Sequence, residues 1–217
     1  MTSMSSLLKP LALASLLAAT TASQAAITVV TSLAAFNAAT AAQGTDTFAG
    51  FSTIIPTVSP VVRTAGPYGY TAAAPGNFFG GGTNGNPFLS TTDAEVTITF
   101  SAFSAGVRGI GGNFFDSNIS GQFAAGDITV STTDGSGTVS QTIIGATASS
   151  FLGFVSDGPI TRMTVVAVQP AGGGFLWPSV DNLTLAAAVP EPGTSALMLG
   201  GLGVLCALAR RRGRPRS

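Results

Sequence analysis

The chain has 217 residues, of which 45% are hydrophobic, only 8% are charged and 28 are glycine. That length holds one domain of ordinary size rather than two, and so low a charge content argues against a chain kept disordered by charge repulsion. Residues 26–188 carry three arginines against eight carboxylates, a net of −5, which argues against nucleic acid as a partner because neutralising phosphates needs clustered Lys and Arg.

Residues 1–25 read as a secretory signal peptide. Lys9 and the free amine supply a weakly positive start, and Leu11 to Ala19 form a nine-residue apolar run. Ser23-Gln24-Ala25 then places small residues at the two positions that a cut after Ala25 requires. The competing reading is a buried amphipathic helix, but the order of charge, apolar run and small-residue site favours export. No Cys lies between residues 26 and 188, so the exported part builds no disulfide framework.

Residues 26–188 follow as one domain. Ile27-Thr28-Val29-Val30 predicts a strand, and Thr31 or Ser32 can cap a short helix through Leu33, Phe36 and Ala39. Beyond that point the helical period disappears. Val96, Ile98 and Phe100 alternate with polar residues at the period of a half-buried strand. The alternation returns at 128–130 and 164–168, and further strands are predicted at 45–51, 61–64, 107–115, 138–144, 151–155 and 183–185. Gly66-Pro67, Asp134-Gly135 and Asp157-Gly158-Pro159 punctuate them. Many short strands separated by turns predict an all-β fold, a β-sandwich with a jelly roll as first choice. Pro75 to Pro87 reads as a long flexible loop, Gly109-Ile110-Gly111-Gly112 as a strand bend or bulge, and Ala186-Ala187-Ala188 as a tether.

The last 29 residues read VPEPGTSALMLGGLGVLCALARRRGRPRS. Thr194 to Ala209 is a 16-residue apolar run, about 24 Å long as a helix at ~1.5 Å per residue. It can cross the bilayer with some thinning or with snorkelling arginines. Pro192-Gly193 stops the helix upstream. Arg210, Arg211, Arg212, Arg214 and Arg216 form a basic end that would stay cytoplasmic.

Val189-Pro190-Glu191-Pro192, then a short apolar span, then an arginine cluster, resembles the PEP-CTERM sorting signal. Tails of this kind also carry the name of an ice-binding-protein C-terminal domain, which labels the tail and implies no ice binding here. The resemblance covers residues 189–217. It implies a Gram-negative bacterium, export to an inner-membrane-anchored precursor, and recognition of Pro190, Glu191 and Pro192 by an exosortase. Release to the cell surface or extracellular matrix would follow. The resemblance says nothing about residues 26–188.

For the domain, chemistry is read by subtraction. The chain has no His, its sole Lys is Lys9, and its sole Cys is Cys206 inside the apolar tail. Ser-His-Asp, Cys-His, Ser-Lys and Schiff-base mechanisms therefore lack a partner, as does a Cys/His zinc site. A carboxylate pair of the glycoside-hydrolase kind is still available among the eight acids, although most stand beside Gly, Ser or Asn, where Asp usually forms turns. Asp116, Asp127, Asp134 and Asp181 offer oxygen ligands of the type calcium prefers, without matching a calcium-binding motif. Most aromatics should be core, and Trp177 and Tyr70 are the candidates for exposed stacking on a sugar ring. The sequence thus predicts a non-enzymatic structural or binding module of the cell envelope or extracellular polysaccharide matrix, with no cofactor beyond a candidate calcium. A secreted polysaccharide hydrolase is the alternative.

Overall fold

The computed structural model describes residues 26–189 and 200–202. The expected signal peptide, Pro190-Glu191-Pro192 and the five terminal arginines lie outside the described residues. So does the expected 194–209 span, apart from residues 200–202, which are helical. Among the described residues no helix is long and apolar enough to cross a membrane.

The period-two segments become strands of two antiparallel sheets that face each other. The larger sheet runs in the order β1 (Ile27–Val30), β13 (Phe151–Ser156), β9 (Gly109–Ser117), β15 (Trp177–Ala188), β7 (Asn86–Thr91), β6 (Asn77–Thr83) and β3 (Thr57–Val58). Two further strands join it: β10 (Phe123–Ala124) pairs with β9, and β2 (Thr40–Asp46) pairs with β15. The smaller sheet runs β12 (Thr138–Ala146), β11 (Gly126–Thr133), β14 (Arg162–Val168), β8 (Ile98–Ser101), β5 (Tyr68–Ala73) and β4 (Val61–Ala65). Phe78, Phe114, Phe154 and Leu185 from the first sheet meet Ile98, Phe100, Ile128 and Val165 from the second, all with no exposure. Burying each such side chain stabilises the fold by roughly 1.5–3 kcal/mol.

The helix α1 (Leu33–Ala39) forms where the sequence places it. Ser32 Oγ accepts from Ala35 N at 3.2 Å as the cap. Its buried Phe36 packs on the outer face of the nine-stranded sheet, where Gly109 and Gly153 leave room for the ring.

Several expectations are corrected. Residues 75–87 are a hairpin and not a loop: β6 and β7 pair from Phe78↔Thr91 to Thr83↔Asn86 around Asn84-Gly85. The glycines of β6 that look like loop residues have a packing reason, since a Cβ on Gly81 would lie 2.1 Å from the Phe88 ring. The strand expected at 45–51 is β2 at Thr40–Asp46. Residues 186–188 are no tether. They end β15, with Ala187 and Ala188 paired to Ala41 and Thr40.

Candidate functional site

The long strand β15 organises the outer face of the larger sheet. Along one edge it pairs with β9. Along the other it pairs first with β7, at Val180↔Leu89, and then with β2 from Leu183↔Asp46 onward. Between these two partners it bulges: Asp181 faces Asn113 and Thr184 faces Gly111, so two residues of β15 oppose Gly112 alone. Asn182 occupies the bulge at φ 52°, in the left-handed region that Asn tolerates better than most residues. The extra residue resets the alternation, so that both Val180 and Leu183 point into the core. It also leaves Asn182 exposed on the outer face.

There a cleft of about 440 Å³ opens between α1, β2, β9, β13 and β15. Leu33 and Asn37 of the helix, Phe151 of β13 and the polar residues Gln43, Thr45, Asn113, Ser149, Asn182 and Thr184 line it. None of these residues is charged. The Phe151 ring lies across Gly111, where a Cβ would come within 2.9 Å of it. The amides are oriented by one another: Asn182 Nδ2 donates to Asn113 Oδ1 at 3.2 Å. Gln43 Nε2 donates to Thr40 Oγ1 at 2.7 Å, and the hydroxyls of Thr45 and Thr184 share a bond of 2.8 Å.

A second, smaller cleft of about 220 Å³ lies between β6, β7 and the loop after β9, with Pro56, Phe79, Thr92, Asn118 and Trp177 among its walls. Trp177 is half-buried and donates from Nε1 to Thr92 O at 3.3 Å. Asn118 Oδ1 accepts from the backbone N–H groups of Ser120 and Gln122. Phe175, 60% exposed, stands edge-on to Trp177. Tyr70, the other aromatic predicted to be exposed, is buried at 1% exposure and corrects that expectation. Its hydroxyl donates to Asp46 Oδ2 at 2.6 Å between the sheets.

The four calcium candidates do not converge. Asp134 Oδ1 accepts from Ser136 N at 2.7 Å and its Oδ2 accepts from Ser156 Oγ, which makes it a turn former. Those bonds outweigh the effect of burial and lower its pKa. Asp181 accepts from Asn182 N, and burial raises it. Asp116 and Asp127 do come together. Asp116, with no exposure, points between the sheets at the start of β11, and neither of its oxygens has a hydrogen-bond partner among the described residues. Burial first, and the Asp127 charge second, push it up to about 7. Among the described residues no group of three or more His, Cys, Asp or Glu could hold a metal ion.

Asp46 is the acid that the sequence did not single out. Arg63 donates to it through Nε at 2.6 Å and through Nη2 at 2.7 Å, while Tyr70 and the Phe48 N–H complete its shell. Burial works to raise its pKa, and these bonds together with the Arg63 charge overcome that and lower it. Its sequence signal was faint, because the charged partner stands on another strand.

β15 is the last strand among the described residues, and Val189 N still donates to Ala39 O. Comparison with protein families matches residues 188–212 to the PEP-CTERM protein-sorting motif. This chain carries a PEP-CTERM sorting motif. The motif marks an exported protein handled by an exosortase, and the match begins on the last residue of β15. No curated protein and no solved structure matches the chain.

Proposed function

We propose that this PEP-CTERM protein is a non-enzymatic module, structural or binding, of the cell envelope or extracellular polysaccharide matrix. The observation that carries the reading is the junction just described: the sandwich closes with β15 and the sorting motif follows with no intervening segment. The domain is therefore a cargo presented directly by its tail. In this reading the precursor is led out by residues 1–25 and held in the inner membrane by residues 194–209, with Arg210, Arg211, Arg212, Arg214 and Arg216 on the cytoplasmic side. The exosortase reads Pro190, Glu191 and Pro192. The passage of consecutive strands from one sheet to the other, as in β13, β14 and β15, supports the jelly-roll form of the sandwich.

The hydrolase alternative would have to rest on Asp116 and Asp127, the one acid pair among the described residues with a strongly raised member. Asp116 has no exposure, whereas a general acid must reach its substrate. The binding reading is therefore preferred. Calcium at Asp116, Asp127, Asp134 or Asp181 is a separate expectation with its own test. A melting temperature unchanged between millimolar calcium and chelator removes calcium from this account.

The test of the function separates anchoring from processing. In an exosortase-bearing host, deletion of residues 194–217 should release a folded, soluble domain. Replacing Pro190, Glu191 and Pro192 with Ala should leave an inserted but unprocessed precursor, because insertion depends on apolar length and charge. Cutting and release of the triple-Ala protein at the wild-type level, read by mass and fractionation, would show the sorting assignment to be wrong.

A further inference from the structure

We propose that the larger outer-face cleft is a binding site for a neutral, polyhydroxylated ligand, an uncharged saccharide segment. The inference deepens the matrix-module reading and rests on it.

The chemistry of the lining selects the ligand class. Nine residues line the cleft and none carries a charge, so an anionic or cationic ligand would lose its hydration without gaining a counter-charge. An apolar ligand would instead strip water from the amides and hydroxyls on the walls. A ring with hydroxyls on its rim and C–H groups on its faces meets both parts of the lining. Phe151 supplies an apolar surface, and the side chains around it supply donors and acceptors. The volume of about 440 Å³ lies in the range of small-ligand clefts.

The arrangement of free hydrogen-bonding groups points the same way. The Asn182–Asn113 bond occupies Asn182 Nδ2 and Asn113 Oδ1. It leaves Asn113 Nδ2 as a donor and Asn182 Oδ1 as an acceptor within the same cleft. A hydroxyl can donate and accept at once, so two neighbouring hydroxyls of a sugar match such a pair. Gln43 is held through Nε2, which leaves Oε1 as a further acceptor, and Asn37 adds a whole amide from the helix side. Two separate features of the backbone serve this geometry. The bulge brings Asn182 out of the strand alternation, and Gly111 lets the Phe151 ring lie down beside it. The smaller cleft offers less, since Trp177 Nε1 and Asn118 Oδ1 already have protein partners.

The test uses the full-length protein against a panel of neutral gluco-, manno- and galacto-configured oligosaccharides beside an anionic polyuronate. Neutral members should be retained and the polyuronate should not. For the best neutral oligosaccharide, Asn182→Gly should weaken binding about 3- to 10-fold, the range for one lost hydrogen bond. This variant removes the amide while suiting the left-handed backbone, so its melting curve should stay at or above the wild type. Asn113→Ser should weaken binding similarly, and Trp177→Ala should leave it unchanged. Retention of no neutral glycan, or equal binding by Asn182→Gly with an unaltered melt, overturns the site. Loss with Trp177→Ala alone also overturns it, by moving the contact to the smaller cleft. Failure of the sorting reading would appear separately, in the fractionation of the tail variants.

Discussion

Two buried aspartates show how much the partners of a charge matter. Asp46 and Asp116 are 6% and 0% exposed. Asp46 meets a guanidinium, a phenol and a backbone N–H, and its pKa falls. Asp116 meets no donor among the described residues and a second carboxylate nearby, and its pKa rises to about 7. The two therefore act on stability in opposite pH windows. For Asp46 the folded state favours the ionised form, so its contribution is present above the ordinary carboxylate pKa and is lost as pH falls through the lowered value. For Asp116 the folded state favours the protonated form. Between about pH 4 and 7 the folded protein binds the extra proton, and stability falls as pH rises, by up to about 1.4 kcal/mol per unit. Urea unfolding from pH 4.5 to 7.5 should show this decline in the wild type and a flatter profile in Asp116→Asn. Equal slopes would remove Asp116 as the source. Asp46→Ala strands Arg63 and the Tyr70 hydroxyl, and should cost about 3 kcal/mol at pH 7. Chemical denaturation checks it, and a loss below about 1 kcal/mol would mean that the pair is solvated.

At the scale of elements, the close approach of β2 and β4 joins the two sheets at one edge. A Cβ on Gly44 would lie 2.1 Å from the Ala65 carbonyl oxygen, and the positive φ of Gly66 turns the chain there. Gly44→Ala must therefore push backbone against backbone, and should destabilise by about 1–3 kcal/mol. Thermal unfolding measures it, and an unchanged midpoint would show that this corner is looser than the packing indicates. β15 makes a different point. Its pattern Val-Asp-Asn-Leu-Thr-Leu breaks the alternation by one residue, so that only 183–185 reads as a strand from the sequence. A bulge is invisible to a strict period of two, and it is resolved only by the partners: β7 before it, β2 after it. The β6–β7 hairpin was hidden for a related reason. Glycine runs resemble loops until the ring that fills the missing side-chain space is known, here Phe88.

At the scale of the whole molecule, the fold and the sorting tail meet at one strand. Leu183 and Leu185 are fully buried core residues, whereas Val189 is 44% exposed. A chain stopped after Val189 keeps every strand found among the described residues and should melt like the full-length protein. A chain stopped after Asp181 loses the pairing to β2 and both leucines, and should not fold. Circular dichroism of the two truncations checks this, and a folded shorter form would show that β15 is dispensable beyond its bulge.

The sequence by itself settled the features that are local or additive. Alternation predicted an all-β domain, a cap at Thr31 or Ser32 with the apolar spacing after it predicted the helix, and the absence of His leaves His-dependent mechanisms without a partner. The PEP-CTERM tail was legible for the same reason, since another protein must read it as a short contiguous stretch. Only the tertiary structure decided which acids face which partners, that Tyr70 is buried while Asn182 is exposed, and that five separate segments enclose one uncharged cleft. These properties depend on strand register and sheet order. In a fold whose contacts are mostly between distant segments, neither is encoded in any single stretch of chain.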